Sequence, residues 1–273
     1  MKKVLSAVLA VLMTLSVVMA FAGCSKETKT ESDLAYIQDK GKLVIGITLF
    51  APMDYYADKD KKELTGFEVE FGKAVCEKLG VTPEFQVISW EAKESELNSK
   101  NIDCLWNGLT ITDERKETMS ISQPYMNNKQ VLITKAENAD KYKEAGSLNG
   151  LTVVAEKESA GEEVATSDDF FKGCNYTAVD SMSKAMMEVK AGTADAAVID
   201  YVTGIGSLGE GTDYSDIVIV DGASFADEQY GIAFRKGSDV TVEVNKIIDE
   251  LVADGTLQKI ADSYKLGEQL IVD

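Results

Sequence analysis

The sequence predicts an α/β fold with two doubly wound lobes that are joined by two crossing strands. Apolar runs of strand length alternate with amphipathic segments of helix length from residue 34 onward, a pattern typical of sheets with mostly parallel strands. The order occurs twice, in 42–108 and in 151–200, and each block has the size of a minimal doubly wound unit. The alternative is one large sheet with a coincidental similarity.

The first block alternates strands and helices. Its first helix is amphipathic and is expected to end at Gly80, since glycine suits the left-handed residue that closes many helices. In chain order, the segments are "KLVIGI", "TGFEVEFGKAVCEKLG", "PEFQVIS", "EAKESELNSK" and "IDCLWNG".

The second block repeats this order, and two helical segments broken at Gly255 follow it. Because nothing indicates a third lobe, we expect the tail to return to the first one. The segments are "LTVVAE" with the loop "SAG", "NYTAVD", "SMSKAMMEVKAG", "ADAAVID", the strand and turn "EQYGIAFRKG", and the helical "TVEVNKIIDELVADGTLQKIADSYKLG".

That return defines the expected domains. The chain is predicted to cross between the lobes near residues 126–130 and 225–229. Parallel sheets bind ligands at the carboxyl ends of their strands, so two facing lobes would bring both sets of strand ends into one cleft. The predicted ranges are 34–126 plus 230–273 for lobe 1 and 130–225 for lobe 2.

The formal charge of −18 and the absence of histidine exclude several functions. Nucleic acids and anionic membranes attract surfaces rich in Lys and Arg, so we expect no nucleic-acid partner. Ser-His-Asp and Cys-His catalysis and His-containing zinc sites need an imidazole. We predict no catalytic residue, no metal and no cofactor.

Residues 1–23 have the pattern of a secretory signal, with a basic start, an apolar run and small residues before Cys24. The stretch "FAGC" resembles the lipobox of bacterial lipoproteins, with Phe21 in place of the usual Leu. This resemblance implies cleavage before Cys24 and lipidation of its thiol, and the polar residues 24–33 would then form a tether. An uncleaved membrane helix is the alternative.

Three cysteines remain after Cys24, and an odd number on an exported chain forms no simple disulfide framework. Cys76 falls on a predicted helix, Cys104 in a strand and Cys174 in a loop. We expect buried free thiols at the first two positions, and a bridge between them is the alternative.

A lone arginine follows "IDCLWNG" in the stretch "LTITDER". The guanidinium of Arg115 is a natural bidentate partner for a carboxylate. Thr112 is a suitable helix N-cap, which would place Arg115 in a first turn with free N–H groups. The alternative is a surface ion pair of Arg115 with Asp113 or Glu117.

Other candidate residues also follow predicted strands. Gly108 would let a ligand approach the backbone closely, and Thr110 adds a hydroxyl. Asp200 ends the matching strand of the second block, where a carboxylate suits an ammonium; a turn aspartate is the alternative. The faces of Phe50 and Trp90 could clamp a ligand side chain, although core packing explains each of them equally well.

Five segments together resemble the polar-amino-acid solute-binding proteins of ABC importers, over nearly all of residues 40–266. They are "GKLVIGI", "LTGFEVEFGKAVCEKLG", "NIDCLWNGLTITDERKETMSISQPY", "KAGTADAAVID" and "EQYGIAFRKGSD". The resemblance implies the Venus flytrap fold, known as periplasmic binding protein type II. It also implies that the Gly–x–Thr stretch and the arginine of lobe 1 hold the α-carboxylate and part of the α-amino group.

The resemblance assigns the ammonium of the ligand to the strand-end aspartate of lobe 2. Two aromatic residues are implied to flank the ligand, and the loop after "VVAE" is implied to add backbone and hydroxyl contacts to the carboxylate. The implied ligand-binding residues are Phe50, Trp90, Gly108, Thr110, Arg115, Ser159, Ala160 and Asp200.

Thr48, Asp54 and Glu156 are candidates for specificity. Many members of the resembled family carry Asp at or near Thr48, and their second-lobe loop is usually Gly-rich after Gln or Lys. None of the three is cationic, so glutamate is expected to bind poorly. Acids in the cleft would favour lysine or arginine, whereas acids in solvent would favour glutamine. Because "EKESAG" has the composition of an exposed loop, we favour an uncharged polar amino acid and place a basic one second.

The implied function is capture of a polar amino acid and its delivery to an ABC permease. We expect a monomer that a lipid anchor holds at the outer face of the cytoplasmic membrane. The alternative is an enzyme on the same scaffold, such as a cyclohexadienyl or arogenate dehydratase, since fold alone does not decide function. The pairing of Arg115 with Asp200 suits an amino-acid zwitterion and favours the binding protein.

Overall fold

Two mixed β-sheets, each of five strands, form the framework of the protein. The structure is a computed structural model that describes residues 32–58 and 60–272. The predicted signal segment, the lipidation site Cys24 and all but the last two residues of the predicted tether lie outside these ranges.

The strands and helices alternate along most of the chain. The strands are β1 (Lys42–Ile47), β2 (Tyr55–Tyr56), β3 (Leu64–Thr65), β4 (Thr82–Val87), β5 (Cys104–Leu105), β6 (Met119–Ile121), β7 (Met126–Lys135), β8 (Thr152–Glu156), β9 (Asn175–Val179), β10 (Ala196–Asp200), β11 (Ile217–Tyr230) and β12 (Ala233–Arg235). The α-helices are α1 (Asp33–Lys40), α2 (Phe67–Leu79), α3 (Lys93–Asn98), α4 (Asp113–Thr118), α5 (Ala160–Ser167), α6 (Met182–Ala191), α7 (Tyr201–Ser207), α8 (Val240–Ala253) and α9 (Thr256–Ser263). Short 3₁₀ helices lie at Trp90–Ala92, Ala136–Lys141 and Asp169–Phe171.

Each sheet has three parallel strands on one side, and antiparallel strands extend it on the other. In lobe 1 the strand order is β4-β1-β5-β12-β6, and β1 pairs parallel with β4 and β5 while β12 runs antiparallel to β5 and β6. In lobe 2 the order is β11-β7-β10-β8-β9, and β8 pairs parallel with β9 and β10 while β7 runs antiparallel to β10 and β11. The expectation of mostly parallel strands is therefore wrong, because half of these pairs come from strands that return between the lobes.

Local signals for helix ends agree with the structure. Gly80 closes α2 with φ of 72°, and its N–H donates to the carbonyl of Glu77 at 3.1 Å. The tail is helical on both sides of Gly255, which has φ of 77°. Only a residue without a Cβ adopts these angles readily, so both breaks follow from the sequence.

A two-stranded ribbon extends from the lobe 2 sheet towards lobe 1. Within it, β7 and β11 pair antiparallel, with Met126 opposite Tyr230 and Lys129 opposite Asp227. The pairing continues into lobe 1, since Tyr125 N–H donates to the carbonyl of Tyr230 at 3.0 Å. The predicted crossing segments thus lie opposite one another in this ribbon.

The lobes also touch at a rim formed by the loop after β1 and by helices of lobe 2. Ser183 Oγ donates to the carbonyl of Leu49 at 2.8 Å, and Ser207 Oγ donates to that of Ala51 at 3.0 Å. Between them, a Cβ placed on Gly206 would lie 2.3 Å from Pro52 Cδ. The backbone of α7 therefore approaches lobe 1 as closely as glycine allows.

Buried cysteines are free thiols in the structure. Cys76 and Cys104 are both buried, and Cys174 is partly exposed in a loop. Burial raises the pKa of Cys76 to about 12, so this thiol stays protonated and unreactive. None of the described helices is both long and apolar enough to cross a membrane.

Aromatic packing dominates the core of lobe 1. The ring of Phe71 meets the edge of Trp106 at a centroid distance of 4.7 Å and that of Tyr125 at 5.5 Å. All three side chains are at most 1% exposed. Phe71 thereby fixes α2 against the strand end of β5 and against the segment that enters the ribbon.

Replacing Phe71 with alanine should destabilise the protein strongly. Loss of a fully buried aromatic ring lowers the free energy of unfolding by about 3–5 kcal/mol, because a cavity remains. Urea unfolding followed by circular dichroism measures it. Val242→Ala, at a site on α8 that is 61% exposed, is the control and should change the free energy by less than about 0.5 kcal/mol. If Phe71→Ala lowered the free energy of unfolding by as little as the control does, the packing described here for Phe71 would be contradicted.

Candidate functional site

Strand ends from both lobes meet at one buried cavity. Its walls come from the segment after β5, from the loop between β8 and α5, and from the end of β10, which is the place where parallel sheets bind ligands. The cavity has a volume of about 20 Å³, room for about one water molecule. The lining residues are Trp90, Asn107, Gly108, Thr110, Glu156, Ser159, Ala160, Met182 and Asp200.

Most of the sequence-predicted ligand residues lie together at this cavity. Six of the eight line it directly, and Arg115 lies in an adjoining groove that Ser159 and Ala160 also line. Phe50 is only 2% exposed and packs behind Gly108. Of the three specificity candidates, only Glu156 lines the cavity.

Arg115 is positioned by the N-terminus of α4. Thr112 caps this helix as predicted, with its hydroxyl accepting from Arg115 N–H at 3.1 Å. The guanidinium donates to the carbonyl of Thr110 at 2.7 Å, and Asp113, a possible surface partner, pairs instead with Lys116 at 3.4 Å. Burial lowers the pKa of Arg115, and the nearby Glu228 and other acids oppose this effect. The guanidinium is thus held at the cleft.

Asp200 occupies the corresponding strand end in lobe 2 and is 8% exposed. Its carboxylate accepts hydrogen bonds from Asn128 Nδ2, at 3.0 Å, and from Gln130 Nε2. Burial raises the pKa of Asp200, whereas these hydrogen bonds and the charge of Arg115 lower it. The aspartate at this strand end is therefore held by a network of amide donors.

Glu228 is a site residue that the sequence analysis missed. It lies on β11 in the ribbon, and its Oε2 accepts from Thr110 Oγ1 at 3.0 Å, Asn128 Nδ2 at 3.0 Å and Gln130 Nε2 at 3.1 Å. Burial and the charge of Asp200 raise the pKa of Glu228 to about 7. Glu228, at the start of "EQYGIA", could have been found only by placing the crossing strand beside the cleft.

A second buried network lies behind Gly108. Gly108 N–H donates to Glu68 Oε1 at 2.9 Å, and the hydroxyl of Tyr125 donates to the same oxygen. Asp54 accepts from Asn107 Nδ2 at 2.9 Å, and burial together with the charge of Glu68 raises the pKa of Asp54 well above its ordinary value. Glu68 was also missed, because it sits within a helix whose pattern suggested only packing.

Gly108 is required by its surroundings as well as by its backbone. Its φ is +57°, and a Cβ there would lie 3.2 Å from the ring of Phe50 and 3.3 Å from that of Tyr230. A side chain would therefore strain the backbone and crowd two buried rings.

Thr48 and Asp54 are joined through one amide. Thr48 Oγ1 donates to Asn107 Oδ1 at 2.7 Å, and Asn107 in turn donates to Asp54. Thr48 is 6% exposed and Asp54 is 0% exposed. Both candidates thus belong to the buried network under the cavity floor.

Glu156 is buried, which corrects the expectation of an exposed loop. It is the last residue of β8, is 2% exposed and lines the cavity, whereas Lys157 and Glu158 after it are solvent-accessible. The loop begins one residue later than its composition suggested. Burial raises the pKa of Glu156 to about 8, and the charge of Asp200 adds to this effect.

Trp90 and Ser159 meet where the lobes face each other. Trp90 Nε1 donates to the carbonyl of Glu158 at 3.2 Å across the cleft. Ser159 caps α5, with its hydroxyl accepting from Glu162 N–H at 3.1 Å, and Ala160 is the first helical residue. A helix N-terminus presents free N–H groups that attract anions.

The described residues, 32–58 and 60–272, contain no group of three or more Cys, Asp or Glu side chains arranged to hold a metal ion. The acids of the cleft instead use amide and hydroxyl partners, as Asp200 and Glu228 show.

Comparison with known proteins places this geometry in a family. Residues 43–268 match the model of the bacterial extracellular solute-binding proteins, family 3. The chain belongs to this family, whose members bind solutes outside the cytoplasm.

Three relatives illustrate the similarity. The L-cystine-binding protein TcyA of Bacillus subtilis is 31% identical over 97% of this chain and 98% of its own. An amino acid ABC transporter substrate-binding protein of Streptococcus pneumoniae, solved with L-arginine, is 26% identical with a TM-score of 0.77, over 88% of this chain and 99% of its own. The ancestral amino acid-binding protein AncCDT-1, a precursor of cyclohexadienyl dehydratase, is 30% identical with a TM-score of 0.76, over 85% and 99%.

Glu156→Gln should stabilise the ligand-free protein most at alkaline pH. The folded protein raises the pKa of Glu156 from 4.5 to about 8, so it binds this proton more tightly than the unfolded chain does. The free energy of unfolding of the wild type therefore falls as the pH rises between these values. The neutral glutamine has no such dependence.

The gain in melting temperature of Glu156→Gln over the wild type should grow between pH 5 and pH 8.5. Comparing two proteins at each pH cancels the titration of Glu228. Glu243→Gln on the exposed face of α8 is the control and should show a constant difference. A gain that shrank with rising pH would contradict the burial of an acid at 156.

Proposed function

We propose that this protein captures a free polar L-amino acid between its lobes and delivers it to the permease of an ABC importer. The observation that carries the proposal is the opposition of Arg115 from lobe 1 and the buried Asp200 from lobe 2 at one cleft. A guanidinium and a carboxylate in this arrangement complement the α-carboxylate and α-ammonium of a zwitterion. Family membership gives the proposal independent support.

The α-carboxylate of the ligand would lie between Arg115 and the first turn of α5. Ala160 supplies an N–H group and Ser159 a hydroxyl there, and Thr110 supplies another hydroxyl. The guanidinium of Arg115 has further N–H donors besides the one that binds the carbonyl of Thr110, and these would pair with the carboxylate. Asp200 would accept from the ammonium.

The ligand side chain would pass Trp90 towards Glu156. The expectation of an uncharged polar ligand rested on an exposed Glu156, and burial of that residue removes its basis. Similar proteins are named for binding L-cystine and L-arginine. A basic amino acid or cystine therefore moves ahead of glutamine as the ligand.

Delivery implies a location and a movement. We infer that residues 1–23 are a cleaved export signal and that a lipid on Cys24 holds the monomer at the outer face of the cytoplasmic membrane. The lobes, 34–126 plus 230–273 and 130–225, would rotate about hinges near 126–130 and 225–229. The paired ribbon of β7 and β11 supports this placement, since it is the connection that a rotation would bend.

An enzyme on the same scaffold is the second candidate. Its support is the likeness to AncCDT-1 and the presence of Glu228 and Glu156, whose pKa values of about 7 and about 8 suit general acids. The relatives in the family are named as binding proteins, which favours binding. A binding protein leaves prephenate and arogenate unchanged, and turnover of either would reverse the preference.

Arg115→Ala should abolish amino-acid binding while the protein stays folded. Removing the guanidinium leaves the ligand carboxylate unpaired in the cleft, and the binding free energy should weaken by about 2–5 kcal/mol. Isothermal titration calorimetry measures it against the amino acid that a thermal-shift screen identifies. Arg115→Lys should rescue poorly, because an ammonium lacks the planar fork.

Lys116→Ala is the matched control, since Lys116 is the next residue of α4 and its side chain is 57% exposed. Its affinity should equal that of the wild type. Near-normal affinity in Arg115→Ala would refute the proposed role.

Ligand should also make the protein more compact. The cavity of about 20 Å³ is too small for an amino acid to enter without opening, so ligand-free molecules must sample a more open form. Small-angle scattering should show a smaller radius of gyration at saturating ligand. Arg115→Ala, measured at the same ligand concentration, should show no change. An unchanged radius in a wild-type sample with proven binding would mean that the lobes do not hinge.

A further inference from the structure

The cavity is lined by one more acid than the zwitterion of an amino acid needs. With Arg115 opposite the α-carboxylate and Asp200 opposite the α-ammonium, Glu156 has no assigned partner. It is 2% exposed, it lines the same cavity as Asp200, and its Oε1 makes no hydrogen bond within the described part of the chain. Buried polar atoms almost always have a partner, so this oxygen marks a place for one.

The groups that face Glu156 show which partner fits. Asp200, from the end of β10, makes its surroundings more negative, and Lys93, from the start of α3, opposes this. Lys93 does not neutralise Glu156 directly: its Nζ contacts the carboxylate and the carbonyl of Glu158, both at 3.4 Å. Burial is the main cause that lowers the pKa of Lys93, and the charge of the nearby Arg115 lowers it further. A further cation at Glu156 would stabilise its carboxylate next to the charge of Asp200.

We propose that Glu156 determines specificity by accepting a second cationic nitrogen of the ligand, beyond its α-ammonium. The inference rests on the proposed function, since it takes the zwitterion site as given. It assigns the ligand to amino acids that carry two cationic nitrogens. Amino acids with an uncharged side chain, such as glutamine, then bind more weakly.

Two kinds of ligand present such a nitrogen. A basic amino acid carries it on its side chain, and cystine carries it on its second zwitterion, together with a second carboxylate. A disulfide holds its two Cα atoms about 4.4–6.8 Å apart, so both zwitterions of cystine would lie in one cleft. Lys93 is 5% exposed and adjoins Arg115 in the groove, which places it to meet the second carboxylate.

Protonation gives the proposal a direct readout. Glu156 in the ligand-free protein has a pKa of about 8, so at pH 7 it mostly carries a proton. A cation next to it stabilises the carboxylate and lowers the pKa. Binding of a ligand with a second cation must therefore release a proton from Glu156, whereas binding of an uncharged analogue leaves the proton in place.

The experiment compares ligand pairs that differ in the second cation. The pairs are arginine with its uncharged isostere citrulline, and cystine with S-methylcysteine, which keeps one zwitterion. Calorimetry at pH 7, in buffers of different ionisation enthalpy, gives affinity and proton release together. For wild-type protein, either arginine or cystine should bind about 10- to 100-fold more tightly than its analogue, as expected for one charge-assisted contact. Binding of that ligand should also release a proton.

Glu156→Gln should remove both the preference and the proton release, while the analogue binds as before. Glu243→Gln makes the same chemical change on the surface of α8 and should behave as wild type. Lys93→Met separates the two kinds of ligand: it should weaken binding of cystine and leave that of arginine unchanged. Thermal unfolding confirms that each variant is folded.

Two results would overturn the inference in different ways. If the affinity ratio between each ligand and its analogue is the same in the wild type and in Glu156→Gln, Glu156 is not a specificity residue. The zwitterion site stands in that case. If no amino acid binds to the wild type, the proposed function itself fails, and the role of Glu156 fails with it.

Discussion

Taking a carboxylate out of water is unfavourable unless hydrogen bonds, a proton or a cation replace the lost solvent. This constraint governs the region where the lobes meet, which buries Asp54, Glu68, Glu156 and Asp200 and partly buries Glu228. Asp200 and Glu228 share amide donors from Asn128 and Gln130. Asp54 and Glu68 lie close enough for a proton to be shared between them. Glu156 has neither amide donors nor an acid with which to share a proton, and burial raises its pKa to about 8.

The ribbon of β7 and β11 would link this electrostatic centre to the proposed rotation of the lobes. Glu228 lies on the ribbon and holds Thr110 from lobe 1 as well as Asn128 and Gln130 of β7. A rotation that changes the ribbon also changes the partners available to Glu228. Under the proposed function, ligand contacts and lobe orientation would thus be coupled through one side chain rather than through a long path of residues.

The parts of this architecture that sequence could predict have local causes. Gly80 and Thr112 act on their own helix ends, and Asp200 stands at the end of an apolar run, so pattern and cap chemistry were sufficient. Glu68 and Glu228 could not be found, because hydrogen bonds across 40 and 118 residues bring them to Gly108 and Thr110. The same cause explains the antiparallel strands that extend each sheet. Composition of a loop says little about the residue before it, and for this reason the burial of a strand-end glutamate was missed.

The close approach of Gly206 to Pro52 has a consequence for how such a protein can evolve. The contact lies on the rim, where a Cβ would stand 2.3 Å from the proline ring, and the ligand-lining residues do not include it. If the lobes rotate as proposed, the size of the residue at 206 would limit how far they close. Apparent affinity scales with the fraction of molecules that reach the binding-competent angle. A single substitution at this position would retune retention of every ligand alike and leave the order of preference among them intact.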